Sequence, residues 1–249
     1  MEIKTKTVAS KHERDSRNKF LSNYNNCPIP DNEILENIGL FIKRQDLTKL
    51  LFFNQVYQEI IKVHGIIIEF GTRWGQNLVT LNNLRGIYEP YNRSRVIIGF
   101  DTFKGFPSID VKDGNHDVIE KGAYAVTHNY ENYLNEILDY HESECPLNHI
   151  KKNFIIKGNA PKKLKKYLTE HPETIIAFAY FDFDLYEPTK KCLEIIEPYL
   201  TKGAIIGFDE LNDPQFPGET IALREVFGTK NISIIRNKFS GIQSYVVIE

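Results

Sequence analysis

The sequence has few cysteines, almost no net charge and no long apolar run, and each absence excludes a class of protein. Its three cysteines, Cys27, Cys145 and Cys192, are odd in number and far apart, which argues against a disulfide framework or a cysteine-rich metal site. A net charge of -2 argues against a general nucleic-acid binder, because neutralising phosphates needs clustered positive charge. No run is long enough to span a membrane, and residues 1–10 lack the apolar segment of a signal peptide. We therefore expect a cytoplasmic protein without membrane insertion.

The first quarter of the chain differs in composition from the rest. Residues 1 to about 26 are polar and rich in lysine and asparagine, which predicts a flexible arm, and order is expected to begin near Pro28. From residue 31 to 61 apolar residues recur at helical spacing, which predicts two or three helices. The predicted domains are therefore 1–64, a flexible arm with a helical cap, and 65–249, the main domain.

From residue 65 onward, short apolar runs alternate with helical stretches. The runs that predict buried strands are 65–71, 95–101, 153–158, 175–181 and 203–208, and the intervening helices are predicted at 75–86, 129–141, 160–170 and 188–200. This alternation is typical of an α/β fold with a Rossmann-like, doubly wound and mostly parallel sheet. Two further strands, 231–236 and 243–248, are close enough to form a hairpin, so the last of seven strands should run antiparallel.

Two acidic clusters follow the fourth and fifth predicted strands. They are Asp182-Phe183-Asp184 and Asp209-Glu210. If these strands are neighbours, the acids meet at the carboxyl edge of the sheet, where open α/β folds bind their ligands. Each like-charge pair at ~4 Å would cost about 4 kcal/mol at an effective dielectric of 20. A divalent cation bound by oxygen ligands would remove that repulsion, whereas either cluster alone would be interpreted as solvated turn acids.

The loop after the first strand has the features of a ligand-binding loop. Within residues 69–75, Gly71 can adopt a positive φ and lets a ligand approach the backbone. The dinucleotide fingerprint G-x-G-x-x-G is absent, and Glu69 would repel a phosphate but suits a cationic ligand. Asp101 ends the second strand, where an acidic residue can bind ribose hydroxyls or cap a helix; its pairing with Glu69 favours the ribose.

Together these segments resemble the class I S-adenosylmethionine-dependent methyltransferases. The likeness rests on Glu69-Phe70-Gly71, on the stretch Asp101-Thr102-Phe103-Lys104-Gly105-Phe106-Pro107, on Asp182-Phe183-Asp184-Leu185-Tyr186-Glu187 and on Asp209-Glu210. It extends from about Glu33 to the C-terminus and is greatest to the macrocin O-methyltransferase (TylF-like) type, which modifies sugar hydroxyls. Members of that type bind magnesium through an aspartate after the fourth strand and an acidic pair after the fifth. Here a glutamate stands where many relatives have a second aspartate.

The resemblance implies a role for each candidate residue. S-adenosylmethionine would be bound by Glu69, Gly71, Thr72, Asp101, Thr102, Phe103, Asn159 and Ala160, and Mg²⁺ or another divalent cation by Asp182, Asp209 and Glu210. Asp182 is also the candidate general base, with His116 or His128 as the alternative. The punctuated segments 106–130 and 212–219 should rim the acceptor site, with Tyr124, Tyr186 and Phe216 as aromatic residues that could stack on a sugar.

The implied function is transfer of a methyl group to a hydroxyl of a sugar or glycosylated small molecule, such as a surface-polysaccharide precursor or a natural product. Two alternatives stay open: a D-x-D glycosyltransferase using a nucleotide sugar, and a catalytically inactive methyltransferase-like binding domain. A Rossmann dehydrogenase is disfavoured by the missing glycine fingerprint. The expected partner is a small-molecule or glycan acceptor, and the N-terminal helices could cover the active site or form a homodimer interface.

Overall fold

The computed structural model describes residues 9–249, which form eight α-helices and seven β-strands. The helices are α1 (Lys11–Asn25), α2 (Asp31–Ile34), α3 (Arg44–Ile60), α4 (Gln76–Tyr88), α5 (Tyr130–Ser143), α6 (Ala160–Glu170), α7 (Tyr186–Ile196) and α8 (Gly218–Val226). The strands are β1 (Ile66–Phe70), β2 (Ile97–Asp101), β3 (Asn153–Lys157), β4 (Ile176–Phe181), β5 (Leu200–Phe208), β6 (Ile234–Arg236) and β7 (Ser244–Val247). No helix among residues 9–249 is both long and apolar enough to cross a bilayer.

The sheet has the strand order β3-β2-β1-β4-β5-β7-β6. The first five strands pair in parallel, and β7 runs antiparallel to both β5 and β6. The predicted Rossmann-like fold and its closing hairpin are therefore confirmed. Because β4 and β5 are neighbours, the two acidic clusters leave the sheet side by side, as the sequence predicted.

The apolar faces of the helices cover both sides of the sheet. The central strands are therefore apolar throughout and do not alternate between apolar and polar residues. Every residue of β1 and β4 is buried. On one face the apolar stripe of α3 packs against the sheet through Phe52, Phe53, Val56, Tyr57 and Ile60. This helix belongs to the predicted N-terminal cap, yet it shares a core with the strands.

A buried arginine joins α3 to the strands at the predicted domain boundary. The guanidinium of Arg95 donates to the backbone oxygens of Ile60, Val63 and Gly65, at 2.9, 2.9 and 2.6 Å. Its charge is balanced by Glu89 at 2.8 Å. The carbonyl groups at the end of α3 thus find a donor that the helix cannot supply. Both sides of the 64/65 boundary are bound by the same side chain.

The sequence predicts a flexible arm up to about residue 26, with order from Pro28, and in the structure Lys11–Asn25 forms the helix α1. The Ser10 hydroxyl accepts from the Glu13 amide at 3.3 Å while the Glu13 carboxylate accepts from the Ser10 amide at 2.7 Å. This capping box starts a helix despite the polar composition. None of its residues is buried, so hydrophobic periodicity could not reveal it. Residues 1–8 of the predicted arm lie outside the described residues.

The strand order reverses between β1 and β4, which places a crevice at their carboxyl ends. Gly71 follows β1 with φ +90°, and a Cβ there would lie 2.0 Å from the Asp182 carbonyl oxygen. Only glycine lets these two chain segments approach so closely. The ligand loop and the first acidic cluster therefore share one wall.

We predict that Gly71→Ala destabilises the fold more than Gly122→Ala. Both glycines have a left-handed backbone, with φ of +90° and +88°, but a Cβ at Gly122 would meet nothing within 4 Å. Each substitution pays for the unfavourable backbone, about 1 kcal/mol, and Gly71→Ala adds the clash with Asp182, about 2 kcal/mol more. Urea unfolding of both variants measures the difference. An equal decrease in the free energy of unfolding for both variants would show that the short distance between Gly71 and Asp182 does not restrict the residue at position 71.

Candidate active site

A cavity of about 280 Å³ opens at the carboxyl ends of the central strands. The predicted residues that line it are Gly71, Thr72, Asp101, Thr102, Asn159, Ala160, Asp182, Asp209 and Glu210. Two others, Glu69 and Phe103, are buried behind its wall. The structure therefore brings most of the predicted site together and places these two in supporting positions.

Asp101 braces the two loops that form one side of the cavity. Its Oδ2 accepts from the Arg73 amide at 2.8 Å, and its Oδ1 accepts from the Phe103 amide. Burial raises the pKa of this carboxyl, and the two amides partly offset that effect. Asp101 thus does not cap a helix; it holds the loops after β1 and β2 at a fixed spacing. Asn159 instead caps α6 by accepting from the Lys162 amide at 3.2 Å.

Glu69 is a buried carboxyl group at the end of β1. It is fully inaccessible, and neither oxygen has a hydrogen-bond partner among the described residues. Burial and the nearby charge of Asp182 raise its pKa to about 7. Thr72, Asn77 and Lys49 lower this pKa in part, but none of them makes a hydrogen bond of good geometry to the carboxyl group. A buried carboxylate in this state is stabilised when a cation or a further donor approaches it. The wall in front of Glu69 is accordingly suited to a positively charged ligand.

At the opposite side of the cavity a lysine lies between the two aspartates. Lys49, from the second turn of α3, has its Nζ 3.1 Å from Asp182 Oδ2 and 2.9 Å from Asp209 Oδ1. Its side chain is 23% exposed. Burial alone would lower the pKa of Lys49, but the two carboxylates more than compensate and raise it above the usual value. The ammonium is therefore charged, and it supplies the positive charge that the acidic clusters require.

Further donors fix the two aspartates. Asp209 Oδ1 also accepts from the Tyr180 hydroxyl at 2.6 Å and from Gln243 Nε2 at 3.0 Å. Asp182 Oδ2 accepts from Asn77 Nδ2 at 3.3 Å. Burial favours protonation of both aspartates, but Lys49 and these donors leave the pKa of Asp209 below its usual value. Burial and the charge of Asp209 raise the pKa of Asp182 to about 6.

The expected magnesium site of Asp182, Asp209 and Glu210 is not supported. All three line the cavity, but the space between the aspartates is taken by the Lys49 ammonium. Within residues 9–249, no cluster of three histidine, cysteine or acidic side chains has a geometry that could hold a metal. Mg²⁺ demands near-octahedral oxygen ligands at 2.0–2.1 Å. The donor set therefore does not fit the ion while Lys49 stays in place.

Glu219 supports the first acidic cluster from behind. It is fully buried in the first turn of α8, and its Oε1 accepts from the amides of Phe183 and Asp184 at 2.9 and 3.3 Å. Burial raises the pKa of Glu219 well above its usual value. Lys49, Asn77, Tyr180, Gln243 and Glu219 were all missed by the sequence analysis. No local motif marks them, because each reaches the site from a separate element.

The segment after β2 contributes Gly105, Phe106, Pro107 and Tyr124 to the lining of the cavity. Phe106, Val118, Ala123, Leu185 and Phe216 form a small separate core. Asp113 anchors it to α7, since its Oδ1 accepts from the Tyr186 amide at 2.6 Å. Tyr124 lines the cavity, with the Arg73 guanidinium 4.9 Å from its ring centre.

The other candidate aromatics and the histidines lie elsewhere. Phe216 and Tyr186 are buried in packing contacts, and the Tyr186 hydroxyl donates to Glu225 at 2.6 Å. His116 packs on Phe216 with ring centres 5.8 Å apart, and His128 is exposed. Among the described residues that line the cavity there is no histidine. Neither His116 nor His128, the alternative bases that the sequence suggested, lines this cavity.

Among the solved structures that match this chain, two combine high sequence identity with coverage of nearly the whole chain. The crystal structure of CalS11, a calicheamicin methyltransferase, matches with a TM-score of 0.93 and 41% identity, over 97% of this chain and 94% of that one. The apo structure of CalS11, described as a TDP-rhamnose 3'-O-methyltransferase, matches with a TM-score of 0.85 and 38% identity, over 97% and 96%. The O-methyltransferase NovP shares the fold alone, with a TM-score of 0.57 and 18% identity, over 81% and 79%. No family model and no curated protein matches the chain.

We predict that Glu69 makes the ligand-free protein less stable as the pH rises. Its pKa is about 7 in the folded state against 4.5 ordinarily, so the folded chain binds the proton more tightly between these values. The contribution of Glu69 to the free energy of unfolding should fall by about 3 kcal/mol across this window and stay low above it. Glu69→Gln should lack this component. Urea unfolding at about pH 5 and about pH 8 measures it.

Glu136→Gln is the control, because Glu136 is exposed on α5. It should follow the wild-type pH dependence. An unchanged pH dependence in Glu69→Gln would contradict the assignment.

Proposed function

Since this chain belongs to the S-adenosylmethionine-dependent O-methyltransferases, we propose that it methylates a hydroxyl group of a sugar, with Asp182 as the base. The observation that carries the proposal is the position of Asp182. Its side chain lines the cavity while its backbone carbonyl abuts Gly71 of the ligand loop. One carboxylate thus lies between the wall suited to a cationic ligand and the open part of the cavity.

The residues on the ligand-loop side fit S-adenosylmethionine. Gly71 and Gly75 have positive φ values of +90° and +80°, which keep the loop backbone close to whatever fills the cavity. The buried Glu69 behind this wall favours a ligand that carries positive charge, as a sulfonium and an ammonium both do. Asp101, with its two oxygens held by backbone amides, can still accept from ribose hydroxyls through its remaining lone pairs.

When bound, S-adenosylmethionine would supply a methyl carbon that the oxygen of an acceptor hydroxyl could attack in line, with S-adenosylhomocysteine as the leaving group when the carbon–sulfur bond breaks. The chain must then place that hydroxyl and take its proton. Lys49 and Asn77 both contact Oδ2 of Asp182, so its Oδ1 is the atom we assign to accept the proton. The proton passes from the acceptor oxygen to Asp182 as the new oxygen–carbon bond forms.

A nucleotide-linked sugar is the acceptor class that we propose. The relative described as a TDP-rhamnose 3'-O-methyltransferase supports it, as does the resemblance to the macrocin type. In this chain the cavity wall presents the Tyr124 ring and the Arg73 guanidinium together. An aromatic face can stack on a sugar ring, and a guanidinium can pair with a diphosphate. Both a natural product and a surface polysaccharide could be the destination of such a methylated sugar.

We predict S-adenosylmethionine-dependent methylation of a deoxythymidine diphosphate sugar. A screen of several such sugars with isotopically labelled methyl donor should give a labelled product, detected by mass spectrometry. Calorimetry with S-adenosylhomocysteine should show one site per chain. Binding of nucleotide sugars without any response to S-adenosylhomocysteine would refute the proposal. If an unrelated acceptor is labelled and none of the sugars is, the proposed acceptor class is wrong but the methyltransferase activity stands.

Asp182→Asn should lower kcat by about 100-fold or more while S-adenosylhomocysteine binds nearly as before, because a proton acceptor is lost and the wall is kept. The wild-type kcat/KM should decline below about pH 6, since protonated Asp182 cannot accept a proton and its pKa is raised to about 6. Asp184→Asn is the matched control, because asparagine tolerates the left-handed backbone of Asp184, φ +60°. A flat pH profile down to about pH 5, or full activity of Asp182→Asn, would exclude Asp182 as the base.

A further inference from the structure

Lys49 reaches the active site from outside the segments that carry the methyltransferase motifs. It precedes Phe52 and Phe53 by three and four residues, so all three project from one face of α3. The rings of Phe52 and Phe53 contact Tyr180 of β4, with ring centres 6.2 and 4.8 Å apart. Their packing directs the lysine stem toward the carboxyl end of β4. The place of Lys49 is therefore set by the core and not by a chance surface contact.

The side chains around Lys49 bind its single positive charge and leave few acceptor sites on the two facing oxygens. The ammonium touches one oxygen of each aspartate, and Asp209 Oδ1 accepts from two further donors, Tyr180 and Gln243. An oxygen that already accepts three hydrogen bonds has little capacity left for a metal ion. Asn77 occupies Asp182 Oδ2 in the same way. A divalent ion could bridge Asp182 Oδ2 and Asp209 Oδ1 only if the lysine left.

We propose that Lys49 is a positioning residue that takes the place of a divalent cation in this enzyme, so that methyl transfer proceeds without a metal. Lys49 acts through Asp182: its contact with Oδ2 fixes the orientation of the carboxylate and leaves Oδ1 for the acceptor. The inference rests on the proposed function for its kinetic readout, but the occupancy of the cation position can be tested without any substrate.

The occupancy is tested by titrating Mn²⁺ into S-adenosylhomocysteine-saturated protein in a calorimeter. Wild type should show no saturable binding at millimolar Mn²⁺. Lys49→Ala leaves two facing carboxylates and a void, so it should bind one Mn²⁺ per chain. Lys49→Met fills the same space without charge and should bind it more weakly than Lys49→Ala. Lys62→Met is the control, because Lys62 is exposed just beyond the end of α3, and it should behave as wild type.

The kinetic arm uses the acceptor identified by the screen. Wild-type kcat should be unchanged in excess EDTA. Lys49→Met and Lys49→Ala should lose about 100-fold in kcat with less than about a threefold change in the KM for S-adenosylmethionine, because the base and not the donor site is disturbed. Added Mn²⁺ should restore Lys49→Ala by about tenfold and Lys49→Met far less. Circular dichroism melts identify a variant that has simply unfolded, and Lys49→Arg, which keeps the charge, then provides the comparison and should retain more activity than Lys49→Met.

Stoichiometric Mn²⁺ binding by wild type, or loss of wild-type activity in EDTA with recovery on adding Mg²⁺, would overturn the inference. Full activity of Lys49→Met would overturn it as well. If no sugar is methylated, the proposed function fails in its acceptor, and the calorimetric result still decides whether Lys49 holds the cation position.

Discussion

The ammonium of Lys49 between Asp182 and Asp209 is the interaction on which the arrangement of the site depends. Two partly buried carboxylates at one sheet edge repel each other, and both effects favour protonation. Lys49 helps to bring the pKa of Asp209 below its usual value and limits the rise in the pKa of Asp182. Its two ion pairs also connect α3 to the ends of β4 and β5. Because α3 is itself held by aromatic packing and by the Arg95 contacts, the charge is presented by a rigid element. The packing of the core therefore fixes the position of the charged groups in the site.

The fold was largely predictable, because its signals are local. Buried parallel strands are read from short β-branched runs, and the hairpin from two runs separated by a short turn, as in 231–236 and 243–248. The convergence of Asp182 and Asp209 followed from one rule of topology, that neighbouring parallel strands end at the same edge. Helix α1 was not predicted for an equally local reason: a capping box and polar helix formers replace the apolar stripe that periodicity detects.

The identity of the cation could not be predicted in the same way. The repulsion between carboxylates demands a positive charge, and the sequence analysis assigned it to magnesium. The carboxylates need a nearby positive charge, but either a metal ion or a basic side chain can supply it. Lys49 lies 133 residues before Asp182 in the chain, on a helix face whose apolar neighbours indicate only a core. Its role depends on a tertiary contact, as do those of Glu219 and Gln243, and no spacing of residues encodes such a contact.

The site is also distributed along almost the whole chain. Asp209 accepts from Gln243, which immediately precedes β7, and the same oxygen contacts Lys49 near the start of α3. During synthesis, the lysine and both aspartates leave the ribosome well before Gln243 and the strand that follows it. Until β7 inserts beside β5, the charged cluster lacks one of its donors and the sheet its antiparallel closing strand. Assembly of the charged cluster is therefore a late and non-local event, and a chain released before that event would carry the motifs without the tertiary contacts that bring them together.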